Sequence, residues 1–134
     1  MNSVEEHPNV VLMRKVYAAF GVGDVETAGQ YWKEDSVHHY PGRSPLSGEH
    51  HGLKDSIAFA NKMFELTEGR MHMETKEIGA SDGHAFALLQ TRYERAGRVL
   101  EMLFVNVARI EDGKIAEFWT YPNDVYATDA FWNA

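Results

Sequence analysis

From Pro8 to about Phe20, apolar residues fall at Val10, Met13, Val16/Tyr17 and Phe20, the spacing of one face of a helix. Pro8 suits a first turn, where its missing N–H costs nothing, and Gly21 and Gly23 end the helix. Asp24 reads as the N-cap of a short second helix that buries Ala28, Tyr31 and Trp32. The helical pattern breaks at Glu34-Asp35, and Val37-His38-His39-Tyr40 reads as a short strand closed by Pro41-Gly42. Pro41 to Gly52 carries two prolines, three glycines and two serines, which marks a long loop. A third helix, about Leu53 to Leu66, sets Leu53, Ile57, Ala60 and Phe64 on one face.

Beyond Gly69 the period changes to alternation. Strands are predicted at about Arg70–Ile78, His84–Glu94, Arg98–Ile110 and Lys114–Tyr121. Ser81-Asp82-Gly83, Ala96-Gly97 and Asp112-Gly113 separate them as short hairpin turns. Helices followed by a meander define an α+β chain, not the alternating order of a parallel sheet. Between Leu100 and Ile110, Leu103, Val105 and Val107 lie on one side, with Met102, Phe104 and Ala108 on the other. The chain's own helices can cover one of these faces. The second suggests a partner subunit, most simply a homodimer through the sheet face.

Composition narrows the class. The 134 residues form one domain, 1–134, and 44% hydrophobic with 12% aromatic residues is ample material for a core. Thirteen Lys and Arg against 20 Asp and Glu give a formal charge of -7 without a basic stretch, so neither nucleic acid nor an anionic membrane is an expected partner. The absence of cysteine removes thiol catalysis and cysteine-ligated zinc. Glu5 and Glu6 stand where a secretory signal carries positive charge, and the expectation is a soluble, cytoplasmic protein. No phosphate-cradling glycine loop or nucleophile-elbow serine is present.

The run Tyr17-Ala18-Ala19-Phe20 followed by Gly23-Asp24 resembles the end of helix one in the ketosteroid isomerase and SnoaL-like polyketide cyclase families. His39-Tyr40-Pro41-Gly42-Arg43-Ser44-Pro45-Leu46-Ser47-Gly48 is similar to a SnoaL-like stretch. Asp112-Gly113-Lys114-Ile115, and Asp124 followed by Phe131-Trp132, fit the same families. The resemblance implies a nuclear transport factor 2-like cone. Its strongly curved, mainly antiparallel sheet wraps around three N-terminal helices and leaves a pocket between sheet and helices. It also implies cofactor-independent proton transfer beside a carbonyl, which needs a base or acid and donors aimed at a developing oxyanion.

Carried over residue by residue, the ketosteroid isomerase base position holds Tyr40. The helix-one tyrosine donor falls at Val16, beside Tyr17, and the aspartic-acid donor falls at Asn106. In the SnoaL-like cyclases and related epoxide hydrolases, the aspartate slot near the end of the last strand holds Tyr121, with Asp124 three residues on. Asp124 has two open roles, proton transfer or capping of the following segment.

Histidine is the other source of a base. His39 sits at the motif's histidine, either as that base or as a hydrogen-bonder bracing the loop. Strand alternation sets His38 and Tyr40 on one face and His39 on the other. His50 and His51 read as solvated loop residues. The four histidines with Glu49 lack the spacing that aims several ligands at one ion, so no metal is expected. Trp32, Tyr40, Phe59, Met63, Phe104 and Trp119 are the candidate lining for an apolar ligand, or simply core.

The leading expectation is an acid/base enzyme acting on a small hydrophobic carbonyl compound by isomerisation, aldol-type cyclisation or dehydration. His39 or Tyr121/Asp124 would transfer the proton, and Tyr17 and Asn106 would serve as oxyanion donors. The rival expectation is a non-catalytic ligand-binding or dimeric scaffold protein on the same cone.

Overall fold

In the computed structural model, which describes residues 6–134, helix α1 (Pro8–Gly21) starts at a capped end. The Asn9 backbone N–H donates to His7 Nδ1 at 3.0 Å, and the Asn9 side-chain amide donates to the Ser81 and Asp82 carbonyls. The start of α1 is thereby tied to a distant hairpin turn. Helix α2 (Val25–Gly29) follows, with the Asp24 carboxylate accepting from the Thr27 N–H and hydroxyl.

Strand β1 runs Trp32–Tyr40, longer at its start than alternation in the sequence suggests, so Trp32 belongs to the sheet and not to the second helix. The proline-glycine loop contains a further strand, β2 (Gly48–His51), antiparallel to β1. Helix α3 spans Leu53–Thr67. The meander then comprises β3 (Met71–Ala80), β4 (His84–Arg95), β5 (Arg98–Glu111) and β6 (Lys114–Pro122). A fourth helix, α4 (Val125–Trp132), closes the chain. Its sequence is too short and too uniformly apolar to show helical periodicity.

The six strands form one curved, unclosed sheet in the order β2-β1-β6-β5-β4-β3. All pairs are antiparallel except β1 with β6. Register shifts in β3 (Thr75/Glu77), in β1 (Trp32/Val37) and in β6 at Ala116, opposite Arg109/Ile110 of β5, add bends where the sheet curls. Two hairpins use two-residue turns with both central residues at positive φ, Ala96-Gly97 (50° and 74°) and Asp112-Gly113 (53° and 73°). This turn type matches the twist of the flanking strands.

Helices α1 and α3 lie across the concave face, and α4 packs against β5 and β6. Met13, Leu89, Ile115 and Trp132 are almost fully buried between these layers. The cone fold expected from the sequence is therefore present, with one helix more than the expected three. No helix among the described residues is long and apolar enough to cross a membrane.

Candidate functional site

Strand parity decides what reaches the interior. On β5, Leu100, Phe104, Asn106 and Ala108 face inward; on β6, Phe118 and Thr120; on β1, Ser36, His38 and Tyr40. Of these, Phe104, Asn106, Phe118, Thr120, His38 and Tyr40 line, with the inner faces of α1, α2 and α3, a cavity of about 110 Å³. Val16, Tyr17 and Phe20 come from α1, Ala28 and Gly29 from α2, and Ser56, Phe59, Ala60 and Met63 from α3. No Asp, Glu, Lys or Arg is among the residues lining it.

Polar groups are few and specific. The Asn106 side-chain N–H donates to the Tyr17 hydroxyl at 2.8 Å, linking β5 to α1. Burial pushes the Tyr17 phenol well above its ordinary range, against a smaller opposing effect of the Asn106 hydrogen bond, so Tyr17 stays protonated and able to donate. Asn106 Oδ1 and Ser56 Oγ are buried without a hydrogen-bond partner. His38 Nε2 lies 3.1 Å from Thr120 Oγ1. Its ring meets Phe59 and Phe118 edge-on, with centroids at 4.8 and 5.0 Å. Burial first, then the charges of His50 and His39, lowers His38 to about 3, so it is a neutral imidazole at neutral pH.

Of the residues singled out from the sequence, Tyr17, Asn106, Trp32, Tyr40, Phe59, Met63 and Phe104 meet around this cavity. His39, Tyr121, Asp124 and Trp119 do not: the catalytic expectation for His39, Tyr121 and Asp124 and the lining expectation for Trp119 are corrected, while His39 and Asp124 take the bracing and capping roles left open for them. His39 points to the convex face, where Nε2 lies 2.6 Å from Glu117 and Nδ1 3.1 Å from Glu49. Its ring stacks on Trp119 at 5.3 Å, within 6° of parallel. It clamps β2, β1 and β6 together and cannot reach a ligand inside.

Tyr121 is 53% exposed on the same convex face, and the inward neighbour at that end of β6 is Thr120. Asp124 caps α4, accepting from the Tyr126 and Ala127 N–H groups. His50 is not simply solvated: its Nε2–H donates to the Leu46 carbonyl at 2.9 Å and its ring packs 4.5 Å from Phe59.

His38, Thr120 and Ser56 are polar cavity residues outside the site expected from the sequence. The signal for His38 was parity: it shares a face with Tyr40, the residue at the base position of the resembled isomerases. Thr120 and Ser56 carried no comparable signal, since a lone Thr or Ser in an apolar run is ordinary.

The comparisons agree with this fold. Residues 13–118 match the SnoaL-like domain. The chain belongs to that family. An uncharacterized protein of Mycobacterium tuberculosis is 27% identical over 122 residues, covering 90% of this chain and 93% of the relative. The structure of Bal32a, from a soil-derived mobile gene cassette, superposes with a TM-score of 0.89 at 28% identity, covering 93% of this chain and 96% of that one. An NTF2-like protein of unknown function from Burkholderia pseudomallei superposes with a TM-score of 0.86 at 23% identity, covering 96% and 100%.

Proposed function

We propose that the cavity binds a neutral, flat, hydrophobic carbonyl compound and polarises its carbonyl oxygen through Tyr17. The carrying observation is the Tyr17–Asn106 pair set in a largely apolar cavity whose lining has no Asp, Glu, Lys or Arg. An ionic ligand would lose its hydration there without gaining a counter-charge, whereas an aromatic skeleton recovers apolar burial. Titration with 1-tetralone, a neutral bicyclic ketone, followed by calorimetry tests this. Saturable binding that weakens about tenfold in Tyr17→Phe supports the reading. Absence of binding, or a Tyr17→Phe variant that binds equally well, overturns it.

A second reading, acid/base catalysis, is favoured by one observation: the His38 ring stands in the cavity wall. An imidazole lowered to about 3 is a weak base, so any proton transfer beside the carbonyl relies on Tyr17 stabilising the enolate strongly. In D2O, enzyme-dependent loss of the proton signal beside the 1-tetralone carbonyl, abolished in His38→Gln, would establish catalysis. Exchange at the buffer rate would leave a binding protein.

The partner we propose for the convex face is a second copy of the chain. Phe86, Leu103, Val105 and Tyr121 are 46%, 42%, 37% and 53% exposed there. Cross-strand register sets Phe86, Val107 and Trp119 in one row and Leu88, Val105 and Tyr121 in the next. These rows form a continuous apolar strip across the central strands, and strips of this kind on folded proteins mark interaction sites.

A further inference from the structure

We infer that Tyr17 and Asn106 together read one hydrogen-bond acceptor and one donor on the same ligand, so that the cavity selects a carbonyl compound bearing a hydroxyl or N–H close to its carbonyl. The inference rests on the cavity being the ligand site and names what that site discriminates.

Asn106 is 8% exposed, and its Nδ2 is engaged by the Tyr17 hydroxyl while its Oδ1 has no partner. A carboxamide carries a donor and an acceptor on one carbon, so using one leaves the other. Tyr17 accepts from Asn106, which leaves its own O–H proton free to donate to a ligand oxygen. The pair thus presents a free donor on Tyr17 next to a free acceptor on Asn106.

With the amide turned over, Tyr17 would donate to Oδ1 and both Asn106 N–H groups would be left for the ligand, so a plain ketone would satisfy the site. Equal affinity for a ketone and its hydroxyl-bearing analogue is the outcome that orientation gives.

This is a different device from an oxyanion hole built from two donors. An oxyanion seated between Tyr17 and Asn106 would face the lone pairs of an unpaired Oδ1. A simple ketone satisfies Tyr17 but leaves that enclosed acceptor without a donor, which is the costly state for a buried polar atom. A ligand hydroxyl beside the carbonyl removes the cost. Sites built to hydrogen-bond a substrate hydroxyl reject analogues lacking it far more strongly than apolar pockets reject a missing methylene.

The test compares three neutral probes of one skeleton on the full chain: naphthalene, 1-tetralone and 2-hydroxy-1-tetralone, each titrated by calorimetry. The expected result is 2-hydroxy-1-tetralone binding at least about tenfold more tightly than 1-tetralone. In Asn106→Leu, checked for folding by circular dichroism, that ratio should collapse to near one. Equal affinity for both ketones in the unaltered protein overturns the donor–acceptor reading while leaving the cavity as a ligand site. Failure of all three probes to bind overturns the ligand-site reading, and this inference with it. The unaltered protein alone decides between these outcomes if the variant does not fold.

Discussion

Trp132 donates its indole N–H to the Tyr40 hydroxyl at 2.9 Å, so the last helix holds a wall of the cavity in place from behind. Both residues are almost fully buried, Trp132 at 1% and Tyr40 at 5% exposure. Trp132→Phe removes the donor and leaves the phenol oxygen enclosed. The expected loss is about 1–3 kcal/mol from the hydrogen bond, with a further cost for the volume removed. Urea unfolding of the variant checks it, and an unchanged midpoint would mean that Tyr40 finds another partner.

His38 makes stability depend on pH. Its folded value, about 3, lies below its ordinary 6.5, so between these limits the unfolded chain holds a proton that the folded chain excludes. Stability contributed by the neutral ring is full above pH 6.5 and is lost as pH falls through that window. The slope approaches one proton, about 1.4 kcal/mol per pH unit. His50, whose ring lies 6.1 Å away, and the adjacent His39 add to the effect. Urea unfolding between pH 7 and pH 5 should show His38→Gln with a flatter profile than the unaltered chain. Parallel profiles would place the acid sensitivity elsewhere.

Gly42 has φ 92°, and a Cβ built there would run into the Asp129 carboxylate, which accepts from the Arg43 N–H at 2.8 Å. Gly42→Ala therefore combines an unfavourable backbone region with loss of the contact that ties the loop to α4. We expect a destabilisation of about 1–3 kcal/mol in chemical denaturation. Gly97→Ala serves as the comparison, since its positive φ of 74° is the same kind of strain with open space around the new carbon. The difference between the two isolates the steric part.

On the convex face, Val105→Glu introduces a charge into the middle of the exposed apolar strip without touching the interior. If two copies associate there, light scattering should report a dimer for the unaltered chain and a monomer for Val105→Glu, with the same helix and strand content. A monomeric unaltered chain would show that the strip serves another purpose.

Much of the architecture was legible in the residues because it rests on local rules. Helical spacing marked α1 and α3, and alternation with Ala96-Gly97 and Asp112-Gly113 marked the hairpins of the meander. Asp24 announced a cap. Strand β2 was not legible, since Gly48-Glu49-His50-His51 has no strand-like alternation and pairs only because β1 offers an edge. Helix α4 was signalled only by Asp124 as one of that residue's two open roles, and is held by this cap and by burial of Phe131 and Trp132.

For the site, the sequence by itself determined the chemical palette: abundant aromatics, clustered histidines, and Tyr17 with Asn106 as polar residues in apolar surroundings. It also determined, through alternation, that His38 and His39 cannot share a face. Which of the two faces is the interior was decided only by tertiary structure. Burial depends on where α1 and α3 cross the sheet, and both faces of the central strands are apolar. That packing turned His38 and Thr120 inward, sent His39, Trp119 and Tyr121 to the convex surface, and brought Tyr17 within 2.8 Å of a residue 89 positions away.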